Sequence, residues 1–425
     1  MDRVNGLRSF LDKAHSAYHA VALLKEELER AGYCRLQEGD DWQIKAGGKY
    51  YLMRNDSSLV AFRLPEGAPK GFLISASHTD RPCFKVKENA VLKGQYTRLA
   101  VERYGGMLIA PWLDRPLSVA GRVLVETEDG IQSRLVDVDR DLLLMPNVAI
   151  HMNRNANDGY KWNPATDTIP LLGDKETVDF WKELESLAGG RILGHDLYLY
   201  VRQASSVWGM NGEFISAQAL DDLQCLWGCT QGFLQAKETG NIPVLCVFDN
   251  EEVGSSSYQG AGSDLLESTI SRICNALQLE KEKALAGSFL VSADNAHAQH
   301  PNHPEYADPA NAPVMNGGVV VKFNANQRYT TDGLSAAIFR KICEKANVPV
   351  QTYCNRADIT GGSTLGNVSL SQVAVPSVDI GLAQLAMHSC YETAGVKDVG
   401  YLVDAMAAYY GAELTAAKDG SFSVK

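Results

Sequence analysis

The stretch Ile242-Pro243-Val244-Leu245-Cys246-Val247-Phe248-Asp249-Asn250-Glu251-Glu252-Val253-Gly254 decides how this chain is read. Its first seven residues suit a buried strand. The next four carry three carboxylates. A strand of an open α/β sheet that ends this way delivers those side chains to the crevice at the carboxyl edge, where such sheets bind ligands. Neighbouring carboxylates repel there, and burial deepens the repulsion. A cation removes it, with one carboxylate as ligand and the other free to handle protons. Taken alone, Glu251-Glu252 reads more simply as a solvated acidic turn, so the rest of the chain has to decide.

The same design recurs on either side. Gly71-Phe72-Leu73-Ile74-Ser75-Ala76-Ser77-His78-Thr79-Asp80 is an apolar run that ends in a histidine and an aspartate two apart. A metal-bound imidazole needs its second nitrogen held, often by a carboxylate, so His-x-Asp supplies a ligand and an orienter, or two ligands. Gly287-Ser288-Phe289-Leu290-Val291-Ser292-Ala293-Asp294 ends in a carboxylate again. Asp221-Asp222 opens an amphipathic helix through Leu223, Leu226, Trp227 and Phe233, where helix-dipole or capping roles alone suffice. His388 follows the short strand 377–382; by itself it reads, like His19 and His151, as a packed or surface histidine. Thr360-Gly361-Gly362-Ser363-Thr364-Leu365-Gly366 lacks the Gly-Lys-Ser/Thr ending of a P-loop and reads as tight backbone packing.

The bulk numbers narrow the class. The chain has 425 residues, 45% hydrophobic and 21% charged, with a net charge of −11. That balance argues against general nucleic-acid binding and gives no basic surface for anionic membranes. Nine cysteines without a Cys-x-x-Cys pair read as reduced core thiols. No apolar leader and no membrane-length run is present, so a cytoplasmic protein is expected. Helical spacing covers Leu7–Gly32, and helices are expected over Asp174–Leu187, Leu265–Leu279, Thr331–Ala346 and Val396–Ala417. Between Leu92 and Ser216, glycines and short β-prone runs replace the α/β alternation, which predicts a β-rich insertion over 93–216 in a domain made of 1–92 and 217–425.

Assembled, His78 with Asp80, Asp221, Glu251 with Glu252, Asp294 and His388 form a set that packing alone does not explain. Two imidazoles with several carboxylates suit two borderline divalent ions, zinc first, with manganese or cobalt as alternatives. A spare glutamate beside a ligand suits a general base.

The ordered motifs Ser77-His78-Thr79-Asp80-Arg81-Pro82, Leu220-Asp221-Asp222-Leu223, Phe248-Asp249-Asn250-Glu251-Glu252-Val253-Gly254-Ser255, Asp294-Asn295-Ala296-His297-Ala298-Gln299-His300-Pro301-Asn302 and Ala386-Met387-His388-Ser389 resemble the aspartyl aminopeptidase family of dizinc metallopeptidases. The resemblance spans essentially the whole chain. It implies a mixed-sheet α/β/α catalytic domain with an inserted β-rich dimerisation domain. It implies His78, Glu252, Asp294 and His388 as terminal ligands, Asp221 as the bridge, and Asp80 as the orienter of His78. Glu251 would be the general base acting on a metal-bridged hydroxide, Lys322 would lie near the substrate, and His151 would be offered to a neighbouring subunit's site. Peptides with a free N-terminus are the implied substrates, with Asp or Glu first, and self-association through 93–216 would give dimers that build a dodecamer. Departures from the family pattern are Asp222 where Asn is usual, Asn311-Ala312-Pro313 for His-Arg-Pro, and Cys390-Tyr391-Glu392 for Ile-Arg-Glu. The lost basic groups weaken the case for a strictly acidic preference. A related dizinc carboxypeptidase or deacylase, and a catalytically silent assembly protein, remain as alternatives.

Overall fold

The computed structural model describes residues 2–176, 179–417, 419 and 421–425. A nine-stranded mixed sheet forms its centre. Its spatial order is Cys34–Arg35, Lys49–Arg54, Ser58–Arg63, Ile242–Phe248, Phe72–His78, Phe289–Ala293, Ser377–Gly381, Val319–Phe323 and Val350–Cys354. The three strands singled out in the sequence lie side by side and parallel, with His78 paired to Phe248 and Ser292 to Ala76. Their acidic and histidine ends therefore reach the same edge.

Alternation along these strands sends residues to two apolar layers. Phe72, Ile74 and Ala76, with Val244, Cys246, Phe248 and Leu290, pack under helices Leu265–Ala276 and Leu365–Gln372. Leu73, Leu245, Val247, Phe289 and Val291 face helices Leu220–Gln235 and Val396–Tyr410. The latter two helices approach closely. A Cβ on Gly232 would lie 2.8 Å from the Ala407 nitrogen, so only glycine allows this contact. The result is the α/β/α sandwich expected.

A separate six-stranded antiparallel sheet runs in the order Gly130–Asp137, Leu117–Thr127, Ile192–Val201, Cys83–Leu92, Tyr96–Tyr104 and Leu171–Asp174, over its own core that includes Phe84, Val119, Val123, Leu197 and Leu199. This sheet begins ten residues before the expected boundary at 92/93, because Cys83–Leu92 pairs with Tyr96–Tyr104 as a hairpin. The Ser206–Trp208 and Phe214–Ala217 strands belong elsewhere. They join Glu392–Gly395, Ala383–Leu385 and Ala296–His297 in a five-stranded sheet.

Several helix limits shift for identifiable reasons. The expected helix over Leu7–Gly32 is two, Asp2–Leu11 and Ala17–Arg30, with Ser16 capping the second. The break frees the Ala14 and His15 carbonyls, which accept hydrogen bonds from the buried Arg81. In the 174–187 region a strand ends at Asp174 and the helix runs Phe180–Ala188, with residues 177–178 outside the described set. The last helix stops at Tyr410, and the chain closes with the hairpin strands Leu414–Ala416 and Phe422–Val424. Cys34 is exposed, Cys354 half-buried and the other cysteines buried; all nine are unpaired. No helix among the described residues is long and apolar enough to cross a membrane.

Candidate metal centre

At the carboxyl edge of the three adjacent strands, the sequence-predicted groups converge. One atom each from His78, Asp221, Asp222 and Asp294 lie within 4.8 Å of one another, as do atoms of Asp221, Glu252 and His388, and of His78, Glu251 and Glu252. Asp221 belongs to the first two sets. Its Oδ1 lies 3.6 Å from His78 Nε2, and its Oδ2 lies 3.4 Å from His388 Nε2. His388 Nε2 is also 3.3 Å from Glu252 Oε1. Two donors about 2.0–2.2 Å from one tetrahedral cation stand roughly 3.3–3.6 Å apart. The observed spacings match that geometry.

The polar inventory fits a cation as well. Asp221 Oδ1, Asp222 Oδ1 and Glu252 Oε1 are buried and have no hydrogen-bond partner. An orphaned buried oxygen is costly, by about 1–3 kcal/mol and more when charged. A divalent ion among them would satisfy all three. The titration behaviour agrees. Burial pushes the Glu251 carboxyl up to about 8 and Asp294 up to about 6, with Asp221 adding to both and His78 opposing. Burial also holds Glu252 and Asp222 well above the usual carboxylate range. Asp221 alone goes the other way. Burial opposes its ionisation, but the imidazoles of His388 and His78 outweigh that and hold it well below the usual range. One anion fixed between two imidazoles, ringed by carboxyls that resist ionising together, is what a bound cation would resolve.

The scaffold under these groups is built from backbone-to-carboxylate hydrogen bonds. Asp80 lies 3.4 Å from His78 Nδ1, and its two oxygens accept the N–H groups of Glu251 and Glu252 at 3.1 Å each. Tyr104, from the six-stranded sheet, donates its hydroxyl to Asp80 Oδ2 at 2.6 Å. Asp80 thus locks the acidic 3-10 turn Glu251–Val253 to the histidine loop, beyond any role toward His78. Asp222 Oδ2 accepts the His78 N–H at 3.2 Å. Asp221 has φ −85° and ψ 109°, outside the helical region, and the Asp221–Asp222 peptide is cis. Both aspartates therefore leave the helix-end role that local sequence suggests. Asp249, which had no derived role, is buried at the turn and accepts the Asn250 N–H at 2.7 Å.

Two expected residues offer no donor to the cluster. Lys322 is 2% exposed. Its ammonium donates to the Asp294 and Asn295 carbonyls at 2.7 and 3.3 Å and lies 3.7 Å from Asp294 Oδ2, so it braces Asp294 from behind. His151 lies exposed in a turn of the insertion and joins no cluster within one chain. Two residues were not singled out by sequence reasoning. Glu392, 1% exposed, accepts the His388 N–H at 2.7 Å and the Asp221 N–H at 3.0 Å. His297, three residues beyond Asp294, lines an adjoining crevice with His300, His303 and Tyr353. The signal for Glu392 was its place four residues after His388, at the head of a run of small residues.

This donor set on the carboxyl edge of an α/β/α sheet defines a metal-dependent hydrolase. The chain belongs to the M18 family of aminopeptidase I zinc metalloproteases, whose family model matches residues 10–410. It is 41% identical over 424 residues to a probable M18 family aminopeptidase 2 of Clostridium novyi (strain NT), covering 96% of this chain and 98% of that one. Among solved structures, a chain of the Ape4 and Nbr1 complex superposes with a TM-score of 0.93 at 34% identity, covering 96% of this chain and 85% of that one. The mApe1 dodecamer of S. cerevisiae superposes with a TM-score of 0.85 at 28% identity, covering 96% of each chain. The protein is accordingly a zinc metalloaminopeptidase.

Proposed function

We propose that the chain removes N-terminal residues from peptides at a two-metal site whose bridge is Asp221. The observation that carries this is the position of the Asp221 carboxylate, with one oxygen 3.6 Å from His78 Nε2 and the other 3.4 Å from His388 Nε2. On this reading His78 and Asp294 would hold one ion, Glu252 and His388 would hold the other, and Asp221 would serve both. Zinc is the first choice for such imidazole and carboxylate donors, with manganese and cobalt as alternatives. Bound there, the metal supplies Lewis acidity toward the scissile carbonyl and toward a water molecule.

The chain's own groups do the rest. Glu251 takes the proton of the attacking water and hands it to the leaving amine. Burial favours the protonated form of Glu251, the direction a proton acceptor needs. Asp80 fixes the Glu251 backbone and the His78 ring. Glu392 holds the backbone at Asp221 and His388, which keeps the two halves of the donor set in register. Lys322 maintains Asp294.

For the first residue of the substrate, acidic side chains are the proposed preference, with a broader range accepted. The family resemblance supports it. Lys322 supports it only indirectly, because its ammonium is committed to Asp294 and Asn295. Self-association through the insertion, with His151 serving a neighbouring site, is proposed on the resemblance, on the dodecameric assembly of the yeast relative, and on the exposure of Val148, Ile150, His151 and Met152 on one turn. The insertion is drawn at 93–216, with its first sheet strand reaching back to Cys83.

The decisive assay offers a peptide library varied at the first residue, with free, N-acetylated and C-terminally amidated forms, to enzyme reconstituted with zinc, manganese or cobalt. Release of the first residue from free-amine peptides alone is expected. Cleavage of the acetylated set, or dependence on a free C-terminus for any turnover, would favour a deacylase or carboxypeptidase instead.

A further inference from the structure

Beyond His297 the crevice continues along walls that carry none of the metal-centre residues. One wall is the segment after the Val319–Phe323 strand and the other is the segment after Val350–Cys354. The near end has His297 and Tyr353, the far end has Asn326, Arg328 and Asn367, and Gly361 lines both. The far part alone encloses about 680 Å³. Both walls are tied to a single fully buried carboxylate. Asp379 accepts the Thr330 hydroxyl at 2.7 Å from one wall and the Thr364 hydroxyl at 2.6 Å from the other. The crevice is therefore a braced part of the fold.

Its charge is uneven. Arg356 is engaged by Asp358, at 2.7 and 2.8 Å. Arg328 is exposed at the far end and has no acidic partner among the described residues, in a chain whose net charge is −11. An exposed, unpaired guanidinium in an acidic protein is poised for an anion from outside, and its planar fork matches a carboxylate. The walls between His297 and Arg328 carry side-chain amides, from Asn324, Asn326 and Asn355, that suit the N–H and C=O groups of an extended peptide.

We infer that this crevice holds the peptide downstream of the scissile bond and that Arg328 receives a carboxylate there, either the substrate's own C-terminus or a downstream acidic side chain. The inference rests on the aminopeptidase reading above for the direction in which the substrate lies. It makes the protein a selector of peptide length as well as of the first residue.

The test uses Glu-led peptides of increasing length in three forms: free acid, C-terminal amide, and amide with an added downstream Glu. Dissociation constants are measured on zinc-loaded Glu251→Gln enzyme, with and without Arg328→Gln, so that binding is read even without turnover. The free acid is expected to bind about three- to fivefold more tightly than the amide at one favoured length, the size of effect an exposed ion pair gives. Arg328→Gln should abolish that ratio, and Arg328→Lys should restore part of it. If the amide with added Glu binds like the free acid, a downstream side chain serves as well as the terminus; if it binds like the plain amide, only the terminus serves. A ratio of one at every length together with no gain from the added Glu, or a gain that survives Arg328→Gln, overturns the inference. A change in assembly size with the ratio intact would overturn it too, placing Arg328 at a subunit contact. Turnover of a glutamyl anilide, which has no peptide beyond the scissile bond, separately tests the aminopeptidase reading.

Discussion

The Glu392 carboxylate accepts the backbone N–H of Asp221 at 3.0 Å with one oxygen and that of His388 at 2.7 Å with the other. It joins the start of one helix to the loop before a distant strand, and neither tie uses the side chains that face the cation. Replacement by Gln turns one acceptor into a donor aimed at an N–H group. Glu392→Gln is expected to destabilise the fold by about 1–3 kcal/mol, the penalty for an unmet buried donor. It should also weaken zinc retention, read by chelator competition. Unchanged melting and unchanged zinc affinity together would remove Glu392 from the scaffold.

Glu251→Gln keeps the volume and the backbone hydrogen bond to Asp80 but loses the proton acceptor. Turnover is expected to fall by about 10²–10⁴-fold, the usual contribution of general acid–base catalysis. Metal content by mass spectrometry of the intact protein should stay at the wild-type level. Loss of metal in parallel with activity would instead make Glu251 a ligand.

Asp221→Asn leaves one weaker donor where both sets of groups converge. If Asp221 serves two ions, both are lost or weakened together. Loss of a single ion per chain, with the other retained at full affinity, would contradict the shared role.

Stability of the metal-free protein should fall as pH rises from about 5 to 8. Asp294, Asp249, Glu251 and Glu392 carry carboxyls pushed up, chiefly by burial, to about 6, 7, 8 and 8. Above the ordinary carboxylate range the unfolded chain has released these protons while the folded chain still binds them, so the slope of unfolding free energy with pH is negative there. Asp221, held below its usual range, opposes this only in more acidic solution. Zinc should reverse the trend, adding more to the melting temperature at pH 8 than at pH 5, because binding needs the ionised donors. A melting temperature of metal-free protein that climbs across this window would contradict the burial assigned to the cluster.

Much of this was legible in the chain. Three apolar runs ending in His78, Glu251-Glu252 and Asp294 gave both the central strands and their common edge, because parallel strands in one sheet end on the same side. Asp221-Asp222 was harder. A pair of aspartates at a helix start has a sufficient local explanation, and only the non-helical backbone at Asp221 turns them inward. Glu392 and His297 were missed because their roles arise from pairing in the five-stranded sheet, where Ala217 lies opposite Glu392 and Ala296 opposite Ala383. Such contacts join segments about 90 to 175 residues apart and leave no periodic trace. The break at residues 12–16 was hidden for a similar reason. Apolar spacing runs through it, while the cause is the distant Arg81 drawing on two carbonyls.

The donor groups come from five well-separated segments, the first at His78 and the last at His388 of a chain of 425 residues. The strands that carry them pair out of chain order, with Ile242–Phe248 lying between Ser58–Arg63 and Phe72–His78. A ribosome must therefore have delivered the chain through His388 before the cluster can close. Hydrolytic competence waits on the last of the five segments, as a property of the assembled sheet, and a copy that lacks that segment or is half folded has no complete centre with which to attack its neighbours.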